Sequence, residues 1–320
     1  MMASTLKYVF GPVPSRRLGR SLGIDLIPYK TCSYDCVYCQ LGPTVEKTLT
    51  RKEYVPLEAV LSEIAERLAE EVEPDYITLS GSGEPTLYSR LDELIAGIRR
   101  LTRTPIAVLT NGSLLWIPEV RRGLLEADVV IPSLDAGSEE VFQTVNRPHP
   151  DLDFAAVLSG MGSFREEFGG QIWLEVFLLK RFTADRAQVG RMARLAEQLK
   201  PDRIQLNTVL RPPAEKYALA VDSITMHSLA GIFGDRAEVI SEPPASEHNT
   251  AIGAGEAVIM GLLRRRPCTI QDVSRGLGIP AAEAAKRLEI LERDGEIVIR
   301  RRAGKVFYVP SRPKTHSREH

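Results

Sequence analysis

Through the first 240 residues, short apolar runs rich in β-branched side chains alternate with longer stretches that are apolar on one face only. Gly23 to Ile27, Tyr76 to Leu79, Ile106 to Leu109, Val129 to Ile131, Ile172 to Leu179 and Arg203 to Leu206 read as six strands. Apolar residues at helical spacing predict helices over Leu57 to Leu68, Leu91 to Ile98, Val120 to Leu125, Phe154 to Phe164 and Ala187 to Leu199. Strands alternating with helices argue for parallel βα units. Six such units fit a partial (β/α)6 TIM-type barrel better than an open sheet. The chemistry of such barrels gathers at the C-terminal ends of the strands. A cysteine loop follows the first strand, Ser80-Gly81-Ser82-Gly83-Glu84-Pro85-Thr86 the second, Thr110-Asn111-Gly112 the third and Ser133-Leu134-Asp135 the fourth. Asn207-Thr208 and then Arg211-Pro212-Pro213 follow the sixth.

The pattern changes after residue 241. Glu242 to Thr250 is rich in Pro and Ser and reads as a linker. Ala254 to Leu263 is helical, Thr269 to Asp272 caps a second helix, and Pro280 to Leu291 is a third that starts on proline. Glu296 to Arg301 and Lys305 to Val309 flank Ala303-Gly304 as a hairpin. Helix, helix–turn–helix, hairpin is the winged-helix order. The fold class predicted is therefore α/β: a partial barrel over 1–241, a linker at 242–250, a small winged helix-turn-helix domain over 251–310 and a disordered tail at 311–320.

Composition adds limits. A length of 320 residues suits two domains, and 43% hydrophobic with 26% charged residues is ordinary for a globular chain. The first residues lack the basic-then-apolar pattern of an export signal, and no run of about eighteen apolar residues predicts a membrane helix. Few cysteines, mostly clustered, suggest a reducing, cytoplasmic setting. The net charge of −1 hides a split: residues 250–320 hold 14 basic against 8 acidic residues, and the remainder 27 against 34. An acidic catalytic domain with a basic appendage fits that split.

Three of the four cysteines, Cys32, Cys36 and Cys39, fall inside eight residues as CxxxCxxC, with Tyr38 just before the last. A cubane iron–sulfur cluster normally takes four thiolates, so three leave one iron open to a ligand. Structural zinc and a fully ligated cluster are the other readings. Zinc usually closes at four ligands from two Cys or His pairs, whereas the five histidines are scattered and Cys268 lies in the other predicted domain.

With this loop, GSGEPT and Thr110-Asn111-Gly112 in place, residues 7–213 resemble the radical S-adenosylmethionine (SAM) superfamily. Gly11-Pro12-Val13-Pro14-Ser15-Arg16-Arg17-Leu18-Gly19 is similar to a branch grouped with the wyosine-tRNA synthetases and described broadly as iron–sulfur oxidoreductases. The resemblance implies a [4Fe–4S] cluster on Cys32, Cys36 and Cys39. SAM would chelate the open iron through its amino and carboxylate groups. One electron, from a donor such as flavodoxin or ferredoxin, then gives methionine and a 5′-deoxyadenosyl radical that abstracts hydrogen. The motif matched by Gly83, Glu84 and Pro85 contacts the methionine amino group in the family. Tyr38 would offer a ring near adenine. Asn111, Ser133 and Asp135 would reach the methionine carboxylate or ribose, with Glu175 and Asn207 as further cofactor contacts. Each of these residues also has a structural reading as a cap, a turn or a packed core group.

Arg16, Arg17, Arg147 and Arg211 are candidates to bind an anionic substrate group. Three function classes follow: modification of RNA, with a tRNA base foremost; action on a protein, peptide or small metabolite with the winged helix as a docking module; and a non-enzymatic cluster-containing regulator that binds DNA. The rim motifs count against the regulator. So does the third C-terminal helix, where Lys286, Arg287 and Arg293 face Glu283, Glu289, Glu292 and Asp294. A further limit is that archaeal-type wyosine synthetases carry cysteines for a second cluster, and only Cys268 is left over here.

Overall fold

The computed structural model describes residues 7–70, 73–240 and 255–311, which divide into two compact units, 7–240 and 255–311. The linker assigned to 242–250 and the tail from 312 lie outside the described residues.

The larger unit is built on one eight-stranded sheet. In chain order its elements are β1 (Val9–Ser15), β2 (Gly19–Asp25), the short pair β3 (Thr31–Cys32) and β4 (Glu46–Lys47), α1 (Leu57–Ala69), β5 (Tyr76–Ser80), α2 (Leu91–Leu101), β6 (Ile106–Thr110), α3 (Pro118–Leu124), β7 (Val129–Pro132), α4 (Glu139–Val145), α5 (Phe154–Glu167), β8 (Gln171–Leu178), α6 (Arg186–Leu199), β9 (Arg203–Thr208), α7 (Ser223–Ala230) and β10 (Ala237–Val239). The sheet order is β1-β2-β5-β6-β7-β8-β9-β10, with β1 antiparallel to β2 and every other pair parallel. The six parallel strands from β2 to β9 are the six βα units expected.

Four strands, β1, β3, β4 and β10, and two helices, α4 and α7, were not legible. β1 pairs with β2, and β10 extends the far edge beside β9. Both carry mixed sequences, Val9-Phe10-Gly11-Pro12-Val13-Pro14-Ser15 and Ala237-Glu238-Val239, as edge strands often do. β2 starts four residues before the apolar run. Its polar half is accommodated because Ser21 Oγ lies 2.7 Å from Thr78 Oγ1 on the neighbouring strand.

Side-chain parity separates the faces of the sheet. Ile77, Leu79, Ile106, Val108, Leu174 and Leu206 pack with the helices in the main core. The alternate positions Tyr76, Ala107, Leu109, Val129, Ile131 and Trp173 form a second cluster on the inner face, joined by Leu18 from the β1–β2 turn. That turn, Ser15 to Gly19, therefore closes against the inner face and carries Arg16 and Arg17 with it.

The smaller unit contains α8 (Glu256–Arg265), α9 (Ile270–Leu277), α10 (Ala281–Arg293) and the antiparallel strands β11 (Ile297–Arg302) and β12 (Lys305–Pro310). Thr269 and Asp272 form the capping box at α9, and Gly278 ends it in the left-handed conformation. Pro280 is the N-cap of α10 and stands just before the helix. Ala303 and Gly304, at φ 46° and 73°, make the two-residue turn between β11 and β12. Among the described residues no helix is long and apolar enough to cross a membrane.

Candidate active site

The cysteine loop leaves β2 at the C-terminal end of the parallel sheet, where β5, β6, β7 and β9 also end in polar segments. Cys32 lies in β3, and Cys36 and Cys39 follow in the loop, all three half-buried with free thiols. Each sulfur has its own side-chain N–H donor. Asn111 Nδ2 lies 3.6 Å from Cys32 Sγ, Asn146 Nδ2 lies 3.6 Å from Cys36 Sγ, and Lys30 Nζ lies 3.2 Å from Cys39 Sγ. The three donors come from three places: the end of β6, the end of α4 and the segment before β3. Burial, with the Glu84 carboxylate behind it, pushes the Cys32 thiol up to about 12. Burial and Asp135 push Cys36 well up. Such thiols stay protonated until a metal displaces the proton.

Among the described residues no three His, Cys, Asp or Glu side chains surround one single-ion centre. A cubane instead spreads its protein bonds over separate irons, and hydrogen bonds to sulfur help set its potential. Three thiols from one loop, each met by an N–H donor, fit that group.

The loop after β5 is tied to the cysteine loop. A Cβ on Gly83 would lie 1.9 Å from the Thr31 carbonyl oxygen, so only glycine permits this approach. The space that Gly83 leaves is filled by the protein's own backbone, which carries Cys32 next in sequence. Glu84 is buried and turned inward. Its Oε1 accepts from Thr86 N (3.0 Å), Thr86 Oγ1 (2.6 Å) and Thr110 Oγ1 (2.6 Å), and its Oε2 from Asn111 N (2.7 Å). Burial raises Glu84 against the pull of these four bonds. The carboxylate thus brackets the β5 and β6 loops together. Pro85 begins a buried single turn over Pro85–Leu87.

Asn111 is spent on the cysteine loop as well. Its Nδ2 donates to Ser33 Oγ at 2.8 Å, and Ser33 Oγ lies 2.6 Å from Ser113 Oγ. Ser133 is half-buried and bridges to Glu175 through its backbone. Asp135 accepts from the Tyr38 hydroxyl, from Asn146 Nδ2 (2.8 Å) and from Phe177 N (3.1 Å). Tyr38 stacks on Phe177 with ring centroids 4.0 Å apart, so one face of its ring is covered. Glu175 Oε2 lies 2.8 Å from Arg17 NH1, and its Oε1 accepts from Asn207 Nδ2 at 2.9 Å. Asn207 Oδ1 accepts from Arg16 NH1 at 3.0 Å. Burial alone would raise Glu175, but Arg17, Asn207 and Arg16 hold it below the usual carboxylate range.

The structure therefore forms two polar clusters along the inner face, Tyr38 with Asp135 and Glu175 with Asn207, Arg16 and Arg17, the two carboxylates acting on each other only through space. Arg147 stands apart from them. Its NH1 lies 2.8 Å from Glu215 Oε1 and 3.6 Å from Asp35 Oδ2, and its NH2 is 2.5 Å from the Tyr217 hydroxyl, so it clamps the outside of the cysteine loop. Arg211 is half-buried in the segment after β9. Lys30, Ser33, Asn146 and Phe177 were missed from sequence. Only Lys30 carried a signal, two residues before the first cysteine.

Burial raises Asp135 to about 6 from 3.8, and the hydrogen bonds from Tyr38 and Asn146 pull the other way. A folded-state value above the unfolded one means that the ionised group costs stability above about pH 6, and the cost vanishes as pH falls toward about 4. The stability gap between wild type and Asp135→Asn should therefore move in favour of wild type by roughly 2 kcal/mol between about pH 7 and about pH 4. Denaturant unfolding at several pH values reads it, and a pH-independent gap would refute the assignment.

Residues 26–192 match the model of the radical SAM superfamily. The chain belongs to that superfamily. It is 33% identical over 313 residues to a UPF0026 protein of Helicobacter pylori strain J99, covering 96% of this chain and 99% of that one. It is 38% identical over 295 residues to the GTPase Obg of Brachyspira hyodysenteriae, covering 91% of this chain but only 43% of that protein. Among solved structures, a radical SAM methyltransferase from Sphaerobacter thermophilus superposes with a TM-score of 0.52 at 17% identity, over 68% of this chain and 66% of that one. This likeness is one of fold. That superfamily uses a [4Fe–4S] cluster and SAM.

Proposed function

We propose that this radical SAM enzyme abstracts hydrogen from a substrate carrying an anionic group, with a tRNA base as the leading substrate class. Cys32, Cys36 and Cys39 would hold the cluster, which when bound supplies the electron, from flavodoxin or ferredoxin, that splits SAM into methionine and a 5′-deoxyadenosyl radical. The observation that carries the reading is a pair of polar clusters on the inner face, one on the cysteine loop at Tyr38 and one reaching the β1–β2 turn, whose carboxylates Asp135 and Glu175 act on each other through space. Tyr38 bonds Asp135, and Glu175 bonds Arg17 and Asn207, which in turn bonds Arg16.

One guanidinium, Arg17, meets the Glu175 carboxylate there, and a second, Arg16, reaches it through Asn207. A guanidinium offers five donors, more than one carboxylate uses, so an incoming carboxylate or phosphate can share Arg17 with Glu175. With the Glu84 and Asp135 carboxylates turned inward, and the Ser82, Glu84 and Pro85 carbonyls accepting from the N–H groups of Lys30, Leu87 and Tyr88, the Gly81 and Gly83 carbonyls are the ones to meet the amino group of SAM. Asn111, Ser133, Glu175 and Asn207 border the same rim, and Arg147 and Arg211 stand at its edge as further candidates for an anion.

The smaller unit, read as a winged helix, supports a nucleic-acid partner through the β11–β12 hairpin. Arg300 and Arg301 on β11 and Lys305 on β12 are exposed there, whereas Arg287 on α10 is paired with Glu283 at 2.6 Å. Positive charge on a wing suits phosphate contact without base reading. The self-paired α10 favours the second reading, a docking surface for a protein substrate. A cytoplasmic setting suits both. Wyosine chemistry that needs a second cluster is disfavoured, since Cys268 is buried in the smaller unit with its thiol on the Arg266 carbonyl.

Comparative mass spectrometry of tRNA nucleosides in a deletion strain tests the reading. One modified nucleoside should disappear, return with the wild-type gene and stay absent with Arg17→Ala. An unchanged profile would remove tRNA as substrate. In the full-length protein, replacing both Arg300 and Arg301 with alanine should flatten the salt dependence of tRNA binding by about one phosphate contact per arginine.

A further inference from the structure

Lys30 is the one cation in contact with the cysteine sulfurs among the described residues, and its surroundings are costly. It sits at φ 58°, in the left-handed region that favours glycine or asparagine. Its conformation is fixed from both sides. Lys30 N donates to the Ser82 carbonyl at 2.7 Å, and its own carbonyl accepts from Val45 N at 2.9 Å and Glu46 N at 3.1 Å. Lys30 is only 3% exposed, so the ammonium has largely given up water. Burying a charge is unfavourable unless it is paired. No carboxylate is ion-paired with it among the described residues, and its recorded side-chain partner is Cys39 Sγ at 3.2 Å. A glycine would relieve the backbone and leave nothing to bury. The chain instead places a lysine where both penalties apply, and strained residues of this kind cluster at working sites.

The other two sulfurs face neutral amides, Asn111 at Cys32 and Asn146 at Cys36. The donor set is thus asymmetric: one fixed positive charge at Cys39 and two dipoles elsewhere. Reduction adds one negative charge to a cluster already carrying thiolates. A buried cation beside one thiolate stabilises the reduced form more than the oxidised form, whereas a neutral donor does so less.

We propose that Lys30 sets the reduction potential of the cluster, its ammonium acting on Cys39 to make the cluster easier to reduce. The inference rests on the cluster assignment above. Lys30 touches a ligand rather than substrate, so it is a positioning residue.

The test is a redox titration of the reconstituted, full-length protein without SAM, followed by the electron paramagnetic resonance signal of the reduced cluster. Lys30→Met should lower the reduced-to-oxidised ratio at least tenfold at a given potential, a shift of about 59 mV to more negative values for one electron. Lys30→Gln, which keeps a donor but loses the charge, should shift in the same direction and serves if the methionine variant loads poorly. Lys30→Arg should stay near wild type. Lys30→Gly should match or exceed wild type in thermal stability while showing the shifted potential, which a purely structural lysine would not do. Full iron content with an unchanged potential in both neutral variants would overturn the proposal, even if SAM then binds less tightly, because the ammonium would be serving the SAM carboxylate instead. Failure of the wild-type protein to take up four irons would overturn the cluster assignment itself.

Discussion

Serine in place of any one of Cys32, Cys36 or Cys39 is expected to abolish the 4Fe cluster and SAM cleavage together. The loss should exceed the roughly hundredfold that removal of an outer-shell partner costs, because an iron loses its only protein bond. The matched control is Cys268→Ser. That thiol donates to the Arg266 carbonyl inside the smaller unit, so iron content and visible absorption should stay at wild-type levels. Iron and sulfide analysis with absorption spectra separates the two outcomes. Full cluster content in any of the three loop variants would contradict the ligand assignment.

Gly83→Ala is expected to act nearly as strongly from outside the ligand set. Its new Cβ would fall 1.9 Å from the Thr31 carbonyl oxygen, and both atoms belong to backbone, so neither can swing away. Relief requires Thr31 to move, and Cys32 moves with it. The Glu84 N to Thr31 carbonyl bond at 3.3 Å would open at the same time. Overpacking of this kind costs roughly 1–3 kcal/mol, and the cluster should load at a tenth of the wild-type level or less. Gly162→Ala, within α5 with nothing inside 4 Å of its new Cβ, should be neutral or slightly stabilising. Circular dichroism and iron content distinguish a displaced loop from an unfolded chain, and normal loading of Gly83→Ala would refute the approach described here.

The periodicity of the first 240 residues sufficed for the six parallel strands, because buried parallel strands read as apolar runs between amphipathic helices. It missed β1 and β10, where edge position lets glycine, proline and charge stand in a strand. The helices α4, Glu139–Val145, and α7, Ser223–Ala230, were also missed; α7 exposes Ile224 while burying Met226 and Leu229, so its apolar residues do not mark one face. The ligand loop was legible because its spacing is local.

What surrounds that loop was not legible, since it depends on contacts far apart in sequence. Asn146 reaches Cys36 across 110 residues, and Arg16 reaches Asn207 across 191. Glu84 and Asp135 show the limit most clearly. Both carboxylates were expected to face a cofactor, and both are occupied by donors from neighbouring loops. A carboxylate at a strand end reads the same in sequence whether it points to a ligand or brackets two loops.

The central claim is that three thiolates at the mouth of this sheet hold a cluster that opens SAM. Anaerobic incubation of the reconstituted, reduced enzyme with SAM, followed by chromatography, measures it most directly. The account predicts 5′-deoxyadenosine and methionine in equal amounts, dependent on reductant and absent from the Cys36→Ser protein. A fully loaded, reduced cluster that leaves SAM intact would contradict it.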